Sequence, residues 1–425
     1  MKEFEHLFRY VGEFADTVVS SAHDNYMVDR EGKRILDFSS GQMSAILGHA
    51  HPEIVATVRD AMSNCDHLHS SFIAEVVIDF AAALCGLLPG TLNKIIPLST
   101  GAESNEAALR AAKLATGRFE VVAFDRSWHG VTGGASATTF NGARRGYGAP
   151  MPGVLSLPTP YAYRSPFVHD GVHDWQAELD WGFECVDRQS VGSLAAMIAE
   201  PILSSAGIVE LPDGYLKALS AHCRVRDMVL ILDEAQTGLG RTGHRFAFEH
   251  EGVVPDILTL SKTLGAGLPL SATITNASLE QTCFERGFLF YTTHTADPLP
   301  AAVGLKVIEI LVRDSLHERA ATLGSYFKGA LLALQQRHEV IGDVRGRGLL
   351  LGLELVKDRQ TKEPALELGA QVSAYCLERG ASLTIGRRGA SHVFRLAPPL
   401  TVSKEEIDTV VTLLDEALTV CSESS

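Results

Sequence analysis

The chain has 425 residues, and 37 Lys and Arg against 51 Asp and Glu give it a formal net charge of −14. A chain this acidic, without a block of basic residues, is a poor candidate for binding nucleic acid or an anionic membrane. The sequence shows neither an apolar run of the ~20 residues that a membrane span needs nor a secretion signal. Its seven cysteines are scattered without a C-x-x-C pair, which indicates a reducing compartment. We therefore predict a cytoplasmic globular protein.

In chain order, a predicted hairpin at residues 24–36 is followed by short apolar runs that alternate with helical patterns. Such alternation is typical of a mostly parallel sheet. Its strands are predicted at residues 95–98, 121–124, 195–199, 229–232 and 257–260, with helices at 104–116 and 215–226. Longer helices follow at 300–313, 320–337 and 404–418, with strands at 348–355 and 393–396. We predict an α/β protein with a large domain at 57–305 and a smaller α+β domain built from residues 1–56 and 306–425.

The strongest local signal follows the predicted strand 229–232, where the sequence continues with Asp233 and Glu234. A carboxylate at the end of a buried strand is costly unless a cation or hydrogen-bond donor meets it. The protonated ring nitrogen of pyridoxal phosphate (PLP) is such a partner, and the pairing makes the ring a better electron sink. The alternative is that the two carboxylates only cap the following turn.

A second apolar strand, residues 257–260, ends in Ser261 and Lys262 and is followed by glycines. Open α/β sheets bind their ligands at the carboxyl ends of the strands, so Lys262 is expected at the same edge as Asp233. A partly desolvated lysine there has a lowered pKa and becomes nucleophilic. A solvated loop lysine is the alternative.

Two further segments complete a candidate cofactor site. Thr100, Gly101 and Ala102 stand between a predicted strand and helix, where backbone N–H groups at the helix start form a phosphate cradle. Trp128 follows the strand 121–124, where its planar ring is placed to stack on a pyridine ring. A partly buried core tryptophan is the alternative.

Two other patterns point elsewhere. Residues 238–243 fit G-x-G-x-x-G, but five residues separate them from the preceding strand and no long helix follows, which argues against a dinucleotide site. The H-x-H pairs His49/His51 and His67/His69 leave open a zinc hydrolase. A pure binding role would leave the lysine, the aspartate and the cradle unexplained.

Taken together and in this order, the segments resemble the class III (ω-type) aminotransferases over nearly the full chain, at residues 48–52, 99–106, 232–238, 260–262, 342–348 and 395–400. The resemblance implies PLP-dependent fold type I, which is aspartate aminotransferase-like. Within the family the chain most resembles the 2,2-dialkylglycine decarboxylases, at residues 40–44, 127–130, 201–205 and 290–294.

The resemblance implies a role for each cofactor residue. Lys262 holds PLP as a Schiff base, Asp233 pairs with the ring nitrogen, and Gln236 hydrogen-bonds the ring hydroxyl. Trp128 stacks on the ring. The phosphate is bound by Thr100, Gly101 and Ala102, together with Thr293 of the partner subunit. The implied assembly is therefore a homodimer, or a dimer of such dimers.

The resemblance also implies substrate and ion sites. Gln42, Trp128 and Lys262 surround the bond that breaks, Arg395 binds a substrate carboxylate, and Ser205 contacts the other substrate position. Guanidinium geometry suits a bidentate pair with a carboxylate. An alkali ion, K⁺ or Na⁺, would be held by hard oxygen ligands from Leu68, Ser70, Thr293, Thr295 and Asp297.

The function implied is decarboxylating transamination of 2,2-dialkylglycines such as 2-aminoisobutyrate. The products are a ketone and CO₂, with amino transfer to a 2-oxo acid such as pyruvate. The alternative is a non-decarboxylating ω-aminotransferase acting on an amine or amino acid. It is motivated by Val131, which replaces a larger residue, and by residues 383–392, which depart from the family pattern and add Arg387 and Arg388.

Overall fold

The computed structural model describes residues 4–11, 14–141, 146–385 and 392–422. Arg387 and Arg388, which the chain adds to the family pattern, lie outside these described residues. Within them, no helix is both long enough and apolar enough to cross a bilayer.

A seven-stranded sheet forms the centre of the molecule. Its order is Lys94–Leu98, Ser271–Thr275, Ile257–Leu260, Val229–Asp233, Leu194–Ala199, Glu120–Phe124 and Val154–Leu157. The last five strands of this order are parallel, whereas Ser271–Thr275 runs antiparallel to both of its neighbours. The mostly parallel sheet and its five predicted strands are therefore confirmed. The prediction missed Ser271–Thr275 and Val154–Leu157.

Apolar layers cover both faces of this sheet, which explains why its strands read as continuous apolar runs. Alternate residues of one strand enter different layers: Leu230 and Leu232 belong to the main core, whereas Val229 and Ile231 pack with Ala108 and Ala112 of a helix on the other face. The longer helices are Pro52–Asn64, Glu75–Leu87, Gly101–Thr116, Trp175–Gln189, Tyr215–Val225, Ala277–Glu285, Pro298–Arg313, Leu316–Arg337, Leu366–Glu378 and Lys404–Ser422, and Gly133–Ala137 is a short one.

Two four-stranded sheets lie outside the central one. The first has the order Val19–His23, Tyr26–Asp29, Arg34–Asp37 and Ala381–Ser382, and the second Ile341–Arg347, Leu350–Leu355, Val393–Leu396 and Thr384–Ile385. Two ribbons pair Ile202–Leu203 with Val209–Glu210 and Val168–His169 with Val172–His173. The first sheet joins the N-terminal segment to the C-terminal third, because Leu36 lies opposite Ala381. The domain boundaries at 56 and 305 stay predictions.

Close packing of one helix against a loop gives a test of the fold. In the helix Leu316–Arg337, a Cβ on Gly324 would come 2.1 Å from the carbonyl oxygen of Gly348, whereas a Cβ on Gly329 would meet nothing within 4 Å. We expect Gly324→Ala to destabilise the protein by about 1–3 kcal/mol or more through overpacking. Gly329→Ala should stabilise it by about 0.5–1 kcal/mol, because alanine favours helix. Thermal unfolding of both variants measures this, and a Gly324→Ala protein as stable as the control would contradict it.

Candidate active site

A cavity of about 330 Å³ lies at the carboxyl ends of the central strands. Asp233 ends one strand, Lys262 follows the next, and Ser99 and Glu200 each follow another. The cavity brings together most of the predicted cofactor residues, namely Thr100, Gly101, Ala102, Trp128, Asp233, Gln236 and Lys262. The strand ends therefore converge as the topology of a parallel sheet requires.

Asp233 is held by a buried hydrogen-bond network. Its Oδ2 accepts from Nδ1 of His129 at 2.8 Å and from Nδ2 of Asn105 at 2.8 Å, and its Oδ1 accepts from the backbone N–H of Ala235 at 3.1 Å. Asn105 is itself fixed, because its Oδ1 accepts from Oγ1 of Thr259 at 2.7 Å. Only 4% of Asp233 is exposed. The carboxylate is thus oriented from several directions.

The environment keeps Asp233 ionised. Burial alone would raise the pKa of its carboxyl, but the hydrogen bond and charge of His129, together with the charge of Lys262, bring that pKa below its usual range. A buried carboxylate that stays negative is suited to a cationic partner in the cavity. A protonated ring nitrogen meets that requirement.

Lys262 lies in a strained backbone conformation, with φ of 42°. Its carbonyl oxygen accepts a hydrogen bond from Oγ of Ser44 at 3.0 Å. Burial lowers the pKa of its amine and Arg395 lowers it further, while Asp233 and Glu200 act in the opposite direction. A lowered pKa increases the fraction of neutral amine, which is the nucleophilic form.

The helix Gly101–Thr116 begins with a complete capping box. Oγ1 of Thr100 accepts from the N–H of Glu103, and Oε2 of Glu103 accepts from the N–H groups of Ser99 and Thr100. The N–H of Thr100 is therefore engaged within the cap. Gly101 and Ala102, as the first two helical residues, have no carbonyl partner within the helix. Of the three backbone N–H groups predicted to bind the phosphate, those of Gly101 and Ala102 are therefore the two that remain free to donate.

Two glycines beside the start of this helix stand where a larger side chain would not fit. A Cβ on Gly101 would come 2.7 Å from Oγ of Ser261, and a Cβ on Gly130 would come 2.8 Å from Cβ of Ala102. Within the described part of the chain, the buried hydroxyl of Ser261 has no hydrogen-bond partner. A phosphate group fits here, because it would accept hydrogen bonds from the free N–H groups of the helix N-terminus and from the Ser261 hydroxyl, and because the glycines leave room for it.

Glu200 is a site residue that the sequence reasoning missed. It lines the cavity, with 3% of its surface exposed, and its Oε1 accepts from the backbone N–H of Trp128 at 2.9 Å. Burial raises its pKa to about 7, against the opposing charge of His129. Glu200 directly follows the buried strand Leu194–Ala199, so the signal that identified Asp233 was present here too. His129 and Asn105 were also missed, because their roles depend on contacts across the fold.

The predicted substrate residues are not all in the cavity. Nη1 of Arg395 lies 3.4 Å from Oε1 of Gln236, and its Nε is buried with no hydrogen-bond partner among the described residues. Arg395 therefore lies beside the predicted cofactor residue Gln236, and its Nε is free to donate a hydrogen bond to a substrate. Gln42 is exposed and Ser205 is half-buried, and neither is among the described residues that line the cavity.

A second cavity of about 350 Å³ shares Ser99, Pro269 and Leu270 with the first, and of the predicted ion ligands only Asp297 is among its described lining residues. Here Oδ1 of Asp297 lies 2.7 Å from Nδ1 of His67, and Oδ2 lies 2.6 Å from Nδ1 of His294. Both carboxylate oxygens thus contact imidazoles. Oγ1 of the predicted ligand Thr295 accepts from the N–H of Thr292 at 2.8 Å, Thr293 is exposed, and Leu68 and Ser70 are half-buried.

Comparison with known proteins identifies the family. The model of the family described as Aminotransferase class-III matches residues 10–418. The chain belongs to the class III aminotransferases. It is 51% identical over 415 residues to an uncharacterized aminotransferase of Schizosaccharomyces pombe, covering 97% of this chain and 93% of that protein. It is 34% identical to alanine–glyoxylate aminotransferase 2 homolog 2, mitochondrial, of Arabidopsis thaliana, covering 92% and 81% of the two chains.

A solved structure agrees with this assignment. A Bacillus anthracis aminotransferase superimposes with a TM-score of 0.92 at 30% identity, covering 98% of this chain and 97% of that chain. Fold type I, predicted from the resemblance, is therefore confirmed, and PLP is the cofactor expected of a class III aminotransferase. The family assignment replaces the zinc hydrolase alternative. Of the four histidines in the H-x-H pairs, His49 contacts Asp37 and His67 contacts Asp297.

Proposed function

We propose that the protein transfers an amino group from an amine or amino acid to a 2-oxo acid, without decarboxylation. The observation that carries the proposal is the cavity in which a lysine of lowered pKa, a carboxylate held ionised and a helix N-terminus converge. The names of the relatives support it, since both are called aminotransferases.

Each residue has a defined part in such a reaction. When bound, PLP supplies an electron sink for the bond that breaks at the substrate α-carbon. Lys262 would hold the cofactor covalently and its Nζ would carry the proton that moves, because its lowered pKa increases the fraction of neutral amine. Asp233 stabilises positive charge on the ring nitrogen, and the N–H groups of Gly101 and Ala102 fix the phosphate. The guanidinium of Arg395, whose Nε is buried, would bind the carboxylate of the 2-oxo acid.

Decarboxylation of 2,2-dialkylglycines is the second candidate. It is supported by Trp128, which lines the cavity as that reading requires. It is weakened by Gln42, which would have to hold the departing carboxylate but is exposed outside the cavity lining. Val131 is also exposed, so its replacement of a larger residue says little about the pocket.

The test separates the two candidates in one experiment. Protein loaded with PLP is given either a primary amine or 2-aminoisobutyrate, with pyruvate as acceptor, while alanine and CO₂ are measured. We expect alanine from the primary amine and no CO₂ from 2-aminoisobutyrate. About one CO₂ per alanine from 2-aminoisobutyrate would replace the proposal with decarboxylation. Racemisation of L-alanine without any net amino transfer would overturn both candidates.

The alkali ion and the subunit arrangement are separate parts of the proposal. K⁺ or Na⁺ at Leu68, Ser70, Thr293, Thr295 and Asp297 would share the Asp297 carboxylate with two imidazoles. Replacing K⁺ by choline at constant ionic strength tests the ion: lost activity that K⁺ restores supports it, and unchanged activity removes it. The role of Thr293 requires a homodimer, which sedimentation of the holoenzyme tests.

A further inference from the structure

Four consecutive residues of this protein have a left-handed backbone. In the helical turn Ser40–Met43, the φ angles are 43° at Ser40, 53° at Gly41, 62° at Gln42 and 72° at Met43. Only one of the four is glycine, and L-residues with a Cβ are strained in this region of φ and ψ. Single residues visit it routinely, but a run of four persists only when the surrounding structure enforces it.

Asp37 holds the start of this turn. It is fully buried, and both of its carboxylate oxygens are engaged. Oδ2 accepts from the N–H of Gly41 at 2.7 Å and from Nε2 of His49 at 2.9 Å. Oδ1 accepts from the N–H of Ser39 at 2.9 Å and from its hydroxyl at 2.6 Å. The side chains of Ser39 and His49 thus both hold the carboxylate, and His49 is the one that follows the turn in the sequence.

Other contacts hold the middle of the turn. Oγ of Ser40 donates to the carbonyl of Ala397 at 2.7 Å and lies 3.3 Å from Nη2 of the buried Arg241. The side chain of Met43 is fully buried in a small apolar cluster with Ile208 and Leu350. The strain is therefore offset by contacts with residues far away in the chain.

The other end of the turn contacts the catalytic lysine. Ser44 immediately follows Met43 and lines the cavity. Its hydroxyl donates to the carbonyl of Lys262 at 3.0 Å and accepts from the N–H of Gly267 at 3.2 Å. A continuous series of contacts thus runs from His49 through Asp37 and the strained turn to the backbone of Lys262, whose own φ is left-handed.

We propose that Asp37 and His49 are positioning residues for proton transfer by Lys262. The pair holds the left-handed turn, and the turn holds the Lys262 backbone through Ser44. The inference rests on the proposed function, since it assigns these residues to the transamination step. A misplacement of about 1 Å in a reacting group costs as much as 10²-fold in rate. Loosening the pair should therefore slow the proton transfer without removing the cofactor.

The activity test compares His49→Leu with His49→Gln. We expect His49→Leu to lower kcat by about 10- to 100-fold with little change in KM for pyruvate. His49→Gln keeps an N–H donor near the position of Nε2, so it should restore most of kcat. An α-deuterated amine should show a larger isotope effect on kcat in His49→Leu than in the parent protein. A merely structural defect would lower the active fraction and leave the isotope effect unchanged.

A control removes another histidine–aspartate pair, whose histidine is as exposed as His49 and which lies away from the turn. Nε2 of His222 lies 2.9 Å from Oδ1 of Asp180 on the surface. His222→Leu should leave both kcat and the isotope effect unchanged. If His49→Leu behaves like His222→Leu while the parent protein transaminates, the positioning proposal is wrong and the proposed function stands. If the parent protein does not transaminate, the proposed function fails first.

Hydrogen exchange of the cofactor-free protein gives a readout that needs no activity. We expect His49→Leu to lose amide protection both at residues 38–48 and at residues 260–268, because the turn connects the two segments. Ser44→Ala breaks the connection at its far end, so it should affect residues 260–268 and leave 38–42 protected. Loss confined to residues 38–48 in His49→Leu would overturn the proposal.

Discussion

Replacing Lys262 is expected to abolish amino transfer. Loss of its proton transfer alone accounts for a fall of about 10²–10⁴-fold in kcat, and Lys262→Ala also loses the covalent link to PLP. Lys262→Arg should be equally inactive, because a guanidinium stays protonated and cannot serve as base or nucleophile. Stopped-flow absorbance of a single turnover measures the step directly.

Two controls sharpen this prediction. Lys217 is exposed and lines a different surface groove, so Lys217→Ala should keep normal turnover. A small added amine should restore part of the rate in Lys262→Ala, where space is free, and not in Lys262→Arg, where the larger side chain fills it. Normal turnover by Lys262→Ala without added amine would contradict the assignment of Lys262.

The second large effect is expected at Asp233. Asp233→Asn keeps a hydrogen-bond acceptor but removes the charge that stabilises a protonated ring nitrogen. Removing a preorganised electrostatic contact of this kind costs about 10²–10³-fold in kcat, or about 2.7–4 kcal/mol. Asp256→Asn is the matched control, since Asp256 directly precedes the adjacent strand Ile257–Leu260 and accepts from the N–H of Leu230. Equal kcat values for the two variants would contradict the role of Asp233.

The pH dependence of the Asp233 contribution follows from the direction of its shift. Its pKa is lowered in the folded protein, so the ionised form is stabilised relative to the unfolded chain. That stabilisation is present above the ordinary pKa of an aspartate, which is about 4, and is lost as the pH falls through the lower folded value. The spectrum of the bound cofactor should therefore show no transition from Asp233 between neutral pH and about pH 5.

The sequence was most informative where strands are buried on both faces. Continuous apolar runs predicted five strands of the central sheet, and the residues after two of them, Asp233 and Lys262, proved to share a cavity. Ser271–Thr275 was missed because it carries hydroxyls in a buried position. Those hydroxyls donate to backbone carbonyls of Thr100, Ser104 and Asp256. Such long-range partners leave no periodic pattern in the local sequence.

The same reason limits prediction of the site. Asn105 and His129 acquire their roles by meeting Asp233 across the fold. The left-handed turn is another case, because Ser40, Gln42 and Met43 have no intrinsic preference for positive φ. Its geometry also depends on Ala397 and Arg241, which contact Ser40 from far away in the sequence.

The pairing of Arg34–Asp37 with Ala381–Ser382 has a consequence for biosynthesis. Almost the whole chain separates the two strands, so during synthesis the N-terminal hairpin emerges long before its parallel partner. Contacts of such high sequence separation form slowly, and an unpaired strand edge favours association with other chains in the meantime. Asp37 is the last residue of the strand Arg34–Asp37, and Ala397 follows the partner strand Ala381–Ser382 in the sequence. The strained turn beside Lys262 is therefore completed only after the segment that contains Ala397 has left the ribosome, because a nascent chain without this segment lacks the contact that holds Ser40.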